Sequence, residues 1–250
     1  MQTMSRSIFL LILSLSLSLA SATTRADLVL VLGDAQSEAD VVPYLTGLGH
    51  TVDNPNIYYD YDPGVAADLS AYDSVIMLYG YDYGFGLTAN ASTALTSYID
   101  NGGRFITTAW MAYSHEDFLG DPIFDRSPVE YLDEEYDSVW DIDESSAFFT
   151  GLSDGWSDLE GNETITITDP NAIALGSNQY GDALVVYTEN SQGGQYIYLN
   201  HAMSYDTGDV SIQALTLLGN SVAFTAVPEP SSLCLLGISC CFLGLRRRKS

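Results

Sequence analysis

Three apolar stretches limit what this chain can fold into. Leu28 to Leu32 reads LVLVL, Ser74 to Leu78 reads SVIML, and Arg104 to Thr108 reads RFITT. A run that does not alternate leaves no face for solvent, so each must be a strand covered on both sides, as in a parallel sheet. Helical patterns lie between them. Asp40 to about Leu48 places Val41, Leu45 and Leu48 on one face, with Asp40 as cap, Pro43 in the first turn and Gly49 as stop. Thr88 caps a helix to about Asp100 that turns Ala91, Leu95, Tyr98 and Ile99 inward, and Asn101-Gly102-Gly103 ends it. A short strand at His50–Val52 and an irregular stretch over 56–69 complete the order. The alternation predicts an α/β fold: a doubly wound, mostly parallel sheet with helices on both faces.

The second half departs from this rhythm. An acidic, aromatic segment at about 114–163 reads as an insertion with little regular structure. Thr164 to Thr168 alternates as an edge or antiparallel strand, and Ala183–Tyr187 with Gln195–Asn200 flank Gly193-Gly194 as a hairpin. A last helix, with Asp209 as cap, carries Ile212, Leu215, Leu218 and Val222 on one stripe.

Both ends carry export features. Residues 1–26 read as a signal peptide: Arg6 in the n-region, an apolar run from Ile8 to Ala20, then Ala20-Ser21-Ala22 or Thr24-Arg25-Ala26 as the cleavage site. At the other end, 227–250 holds a hinge at Pro228-Glu229-Pro230, an apolar helix at about 233–245, and a basic tip of Arg246, Arg247, Arg248 and Lys249. The run is shorter than the roughly 20 residues of a full membrane span, and the positive tip favours the cytoplasmic side.

Between the ends lies a body at 27–226, enough for one domain with a core. Its only basic residues are Arg104 and Arg126; set against 32 of the chain's 33 acidic residues, they leave a formal charge of −30. Such a surface repels phosphate backbones, so no nucleic-acid partner is expected. It attracts cations, and Asp60-Tyr61-Asp62 and Asp141-Ile142-Asp143-Glu144 offer carboxylates of the kind calcium takes, without EF-hand spacing. No other cofactor is expected. Cys234, Cys240 and Cys241 all lie in the tail, so the body has neither a disulfide nor a thiolate site.

The tail, from Val227-Pro228-Glu229-Pro230 through the apolar run to the basic tip, resembles the PEP-CTERM sorting signal of exported bacterial proteins. The resemblance implies export, an exosortase-type processing enzyme as partner, membrane attachment through the C-terminal helix before processing, and residence in the cell envelope or extracellular matrix. The body resembles the class I glutamine amidotransferase-like fold, especially its ThuA-like branch, in LSAYDSVIMLYG, YIDNGGRFITTAW and GGQYIYLNHAMS; an unrelated flavodoxin-like domain is the alternative. In that superfamily the turn after the RFITT strand holds a nucleophilic cysteine. Here it reads Thr108-Ala109-Trp110-Met111-Ala112, with no cysteine and no G-x-S-x-G serine. His201 matches the family's histidine, but Met203 stands where the resemblance implies a carboxylate. Amidotransferase chemistry is therefore not expected.

Ligands of open α/β sheets bind at the carboxyl ends of the strands. The candidate ligand-binding residues there are Tyr79, Tyr81, Asp82, Tyr83, Trp110, Tyr113, His115 and His201, with Tyr58, Tyr59, Tyr61 and Phe85 nearby. Aromatic faces beside carboxylates suit sugar rings, which points to a non-catalytic scaffold for carbohydrate such as extracellular polysaccharide. The alternatives are rings packed as a local core, and a metal-dependent or sugar-acting hydrolase using His115, His201 and nearby carboxylates.

Overall fold

The computed structural model describes residues 26–64, 67–143, 145–157, 160–203 and 210–224. Residues 1–25 of the signal-peptide segment, the sorting motif at Val227–Pro230, the apolar run and the basic tip lie outside these residues. Among the described residues no helix is long and apolar enough to cross a membrane.

One nine-stranded sheet organises the body, in the order β2-β1-β3-β4-β11-β10-β9-β6-β7. β1 (Leu28–Leu32), β2 (Thr51–Asp53), β3 (Ser74–Met77), β4 (Arg104–Thr108) and β11 (Gln195–Leu199) run parallel. β10 (Ala183–Glu189), β9 (Ile173–Asn178), β6 (Val139–Asp141) and β7 (Trp156–Ser157) extend it antiparallel. The expected doubly wound α/β sheet is thus present, and its switch point lies between β1 and β3. Val29 and Val31 of β1 enter one core with α1 (Ala35–Gly47) and α4 (Ile212–Ala223). Leu30 and Leu32 enter the other with α2 (Ala89–Asp100) and α3 (Met111–Asp117). That is why LVLVL has no polar alternate: each successive side chain meets a different helical layer.

Several local readings hold and several change. Thr88 caps α2 through its hydroxyl, and Ala91, Leu95, Tyr98 and Ile99 are buried as expected. The first helix begins earlier than Asp40. Asp34 is its cap, accepting from Gln36 N at 3.0 Å and Ser37 N at 2.8 Å, so Pro43 falls inside the helix. Asp40 instead accepts from Val210 N at 2.8 Å, ahead of α4. Ser211, not Asp209, caps α4; Asp209 lies outside the described residues. Leu48 and Ile212 are more than half exposed, because each sits at a helix end beyond the packed stripe.

The segment after β4 is more regular than its composition suggests. β5 (Val129–Glu135) and β8 (Asn162–Ile167) form a separate antiparallel pair, while β6 and β7 add to the main sheet. Trp140, Phe148, Phe149 and Trp156 from this segment are buried and fill the core beneath α4. Those four side chains give the insertion its own reason to order.

Candidate functional site

The site is built where β4 turns into α3. Thr108 Oγ1 donates to Tyr79 O at 2.7 Å and accepts from Tyr79 N at 2.7 Å, locking the ends of β3 and β4 together. Ala109 N donates to His201 O at 3.2 Å, which adds the end of β11. The chain then reverses at Trp110, whose φ of 72° is left-handed for a large side chain, and α3 begins at the next residue. Such a conformation persists only when its surroundings hold it. Here the indole is buried, and it lies against Gly161, where a Cβ would come within 2.6 Å of it. The strand-to-helix elbow is therefore present, with an enclosed indole where the resemblance would place a thiol.

Beneath the elbow sits a residue the sequence did not single out. Glu163 of β8 is fully enclosed and accepts from Tyr113 N at 2.7 Å. The Tyr198 hydroxyl donates to its other carboxylate oxygen. Burial pushes the carboxyl up to about 7, against the pull of Tyr198 and of the N–H groups of Tyr113, Trp110 and Ala112. The carboxylate thus serves the opening turn of α3 from a distant strand. Asn200 fixes the backbone of the same residue: its Oδ1 accepts from Glu163 N at 2.8 Å and its Nδ2 donates to Glu163 O at 2.7 Å. One amide side chain so replaces a strand partner beyond the end of β11.

The histidines occupy separate settings. His201 is buried and stacks on Trp156, with ring centroids 5.0 Å apart. Its Nδ1 accepts from Met203 N at 3.0 Å, so in the neutral ring Nε2 carries the proton. The base of a nucleophile–His–acid triad has the opposite tautomer, with Nδ1–H held by a carboxylate. Met203 thus changes the ring's chemistry through its backbone as well as by lacking an acid. His115 lies on α3 with Nε2 3.3 Å from Asp125 Oδ1, tying that helix to the following turn.

The aromatic residues divide into two groups. Tyr58, Tyr61 and Tyr79 are buried; Tyr58 packs on Tyr79 at 4.4 Å and its hydroxyl donates to Asp82 O at 3.2 Å. These rings form core under the loop. Tyr81, Tyr83 and Phe85 are exposed on it, at 60%, 36% and 48%. From the buried Trp110 a run of rings passes outward: Tyr83 at 5.8 Å, Tyr113 at 5.7 Å from Tyr83, and Tyr131 of β5 at 5.2 Å from Tyr113. The run ends at a depression of about 400 Å³ lined by Ala112, His115, Glu116, Leu119, Glu130 and Tyr131. Of the expected residues, Tyr83, Trp110 and Tyr113 are brought together and His115 lies at the far end of the run. Tyr79 and His201 are enclosed elsewhere. Tyr131 and Glu130 come from the insertion, and no local pattern marked them.

The switch point itself is closed. Asp34 is buried there, and a Cβ on Gly80 would stand 2.6 Å from its Oδ2 and 2.9 Å from Ala202 O. Only glycine lets the β3 loop approach so closely. Burial raises the Asp34 carboxyl, with Ser37 and Gln36 opposing. Of the acidic turns, Asp62 accepts from Asn90 Nδ2 at 2.9 Å and Gly64 N at 3.0 Å, and Asp143 accepts from Ser145 N at 2.9 Å. Among the described residues no group of three or more His, Cys, Asp or Glu side chains is placed to hold a metal ion.

Comparison with known proteins bears on both parts of the chain. No curated protein matches it. A ThuA-like protein from Parabacteroides merdae superposes with a TM-score of 0.57 at 15% identity, covering 82% of this chain and 94% of that one. A glutamine amidotransferase from Thermotoga maritima gives 0.50 at 10% identity, covering 72% and 76%. A cold-adapted β-galactosidase from Rahnella sp. R3 gives 0.54 at 19% identity over 87% of this chain, which spans only 35% of the enzyme's length. Residues 226–249 match the model of the PEP-CTERM protein-sorting motif. The chain is thus an exported protein with an exosortase sorting signal at its C-terminus, carried on an α/β body whose fold is similar to those of the ThuA-like and class I glutamine amidotransferase-like proteins.

Proposed function

We propose that the body is a non-catalytic binding scaffold of the cell envelope or extracellular matrix, and that its ligand is a neutral carbohydrate such as extracellular polysaccharide. The supporting observation is the run of rings from Trp110 through Tyr83 and Tyr113 to Tyr131, ending in the depression beside Glu116 and Glu130. Ring faces cover the apolar faces of sugars, and flanking carboxylates accept from hydroxyls. The net charge of the body disfavours an anionic polymer. The elbow supports the non-catalytic part, since an enclosed indole offers no nucleophile. Exosortase-type processing near Pro228-Glu229-Pro230 would then decide whether the scaffold stays anchored or is released.

Binding of the mature protein to neutral and acidic polysaccharides, followed by calorimetry, tests this reading. Tyr83→Ala with Tyr131→Ala should weaken binding to the neutral polymer about 5- to 150-fold, at about 0.5–1.5 kcal/mol per ring. Unchanged affinity in that double variant rejects the ring run as the site. Sugar hydrolysis that is lost in His201→Ala would instead support the hydrolase alternative.

A further inference from the structure

We propose that, while the tail holds the chain to a membrane, the body stands with the amino ends of its parallel strands toward the bilayer and the ring-bearing carboxyl ends pointing away. The inference rests on the anchoring part of the function proposed above, and on where the chain enters and leaves the sheet. α4 returns from the carboxyl edge of the sheet to the amino edge. There Arg104, the first residue of β4, donates through Nη1 to Val222 O in the last turn of α4, and through Nε to Gln195 Oε1 at 2.8 Å. Phe224 follows and is held in place, stacked on Phe148 at 4.1 Å. The described chain also starts at this edge: Asp27 O accepts from Thr51 N at 2.9 Å, and its carboxylate faces His50 at 3.5 Å. Both export signals therefore leave the body from one pole.

Length rules out the opposite orientation. The apolar run begins at about Leu233, nine residues beyond Phe224, so the connection spans at most about 32 Å even when fully extended. A compact body of this length is about 40 Å across. A tether shorter than the body's width cannot reach the bilayer from the far pole, so the pole of exit is the one nearer the surface. The charge acts in the same sense, because a body at −30 is repelled by anionic headgroups and gains nothing by lying flat. Tyr81, Tyr83 and the depression beside Tyr131 then face outward, where a polymer can reach them.

Single-cysteine fluorescence on the full chain tests the orientation, because the body has no cysteine of its own. Cys234→Ala, Cys240→Ala and Cys241→Ala clear the tail, and one label enters at Gln192→Cys on the exposed β10–β11 turn or at Tyr81→Cys. Each variant is placed in phosphatidylcholine–phosphatidylglycerol vesicles whose headgroups carry a nitroxide quencher, with no polysaccharide present. The label at 192 should be quenched several-fold more strongly than the label at 81. Equal or reversed quenching in chains that float with the vesicles overturns the orientation and leaves the anchor standing. Chains that fail to float overturn the anchor, and the orientation with it. Neither result touches the ring run, which is tested by polysaccharide binding alone.

Discussion

Asn200→Ala is expected to be among the most damaging single changes in the body. The side chain is fully buried and bonds both backbone groups of Glu163, at 2.8 Å and 2.7 Å. Removing it leaves an N–H and a carbonyl enclosed without their partner, at about 1–3 kcal/mol each. The total, about 2–6 kcal/mol, corresponds to a fall of roughly 10 °C in Tm for a domain of this size. Alanine can return neither bond, and a cavity adds to the loss. Asn220 is the natural comparison: its Nδ2 donates to Phe148 O at 2.9 Å and Thr150 O at 2.8 Å, in a place that water can reach. Asn220→Ala should cost about 1 kcal/mol. Thermal melts of the two variants measure the difference. If Asn200→Ala melts within a degree or two of the parent, the amide does not bridge β8 to the end of β11.

That bridge also shows where sequence reasoning stops. β1, β3 and β4 were legible because strands buried on both faces show no alternating polar face, and α2 because its cap, stripe and glycine stop agree. β10 and β11 were legible from their turn. β9 was missed: IALGSN holds a glycine and two polar residues, and it is a strand because β10 and β6 flank it. The insertion follows the same rule. β5 pairs with β8 and β6 with β9, each across a long stretch of chain, so local patterning had little to report. α1 was started too late, at Asp40, although the Asp34 carboxylate had the helix N–H groups to serve.

The site was half legible for a related reason. That the loops after β3 and β4 carry the rings follows from sequence and topology. Which rings face water depends on packing between loops: Tyr79 lies under Tyr58, while Tyr83 rests at the edge of Trp110 and leans outward. The missing thiol was visible directly. The means by which the elbow survives without it was not, since Glu163 is one acidic residue among 33 and only its position under α3 distinguishes it.

Glu163 also makes the stability of this protein depend on pH in an unusual direction. Most carboxylates in folded proteins are held below their ordinary values, so stability is lost in acid. Here burial lifts the folded value to about 7, above the 4.5 of a free glutamate. The folded state therefore keeps a proton that the unfolded chain gives up. Its contribution is complete below about pH 4.5 and is lost as the pH climbs through about 7, at a cost of about 3 kcal/mol. Asp34 and Glu38, also raised by burial, tilt the curve the same way, and repulsion within a body at −30 adds to it. The parent should thus be more stable at pH 5 than at pH 8 in urea titrations. Glu163→Gln keeps an oxygen to accept from Tyr113 N, its Nε2 donates to the Tyr198 oxygen while that hydroxyl's proton turns to Asn200 Oδ1 at 3.3 Å, and it has no charge to bury. It should match the parent near pH 5 and exceed it by about 3 kcal/mol at pH 8, flattening that part of the curve and leaving the Asp34 and Glu38 contributions in place. Parallel curves for parent and variant would mean that the N–H groups at the start of α3 hold the Glu163 carboxylate ionised throughout, and that the elbow rests on a buried charge rather than a shared proton.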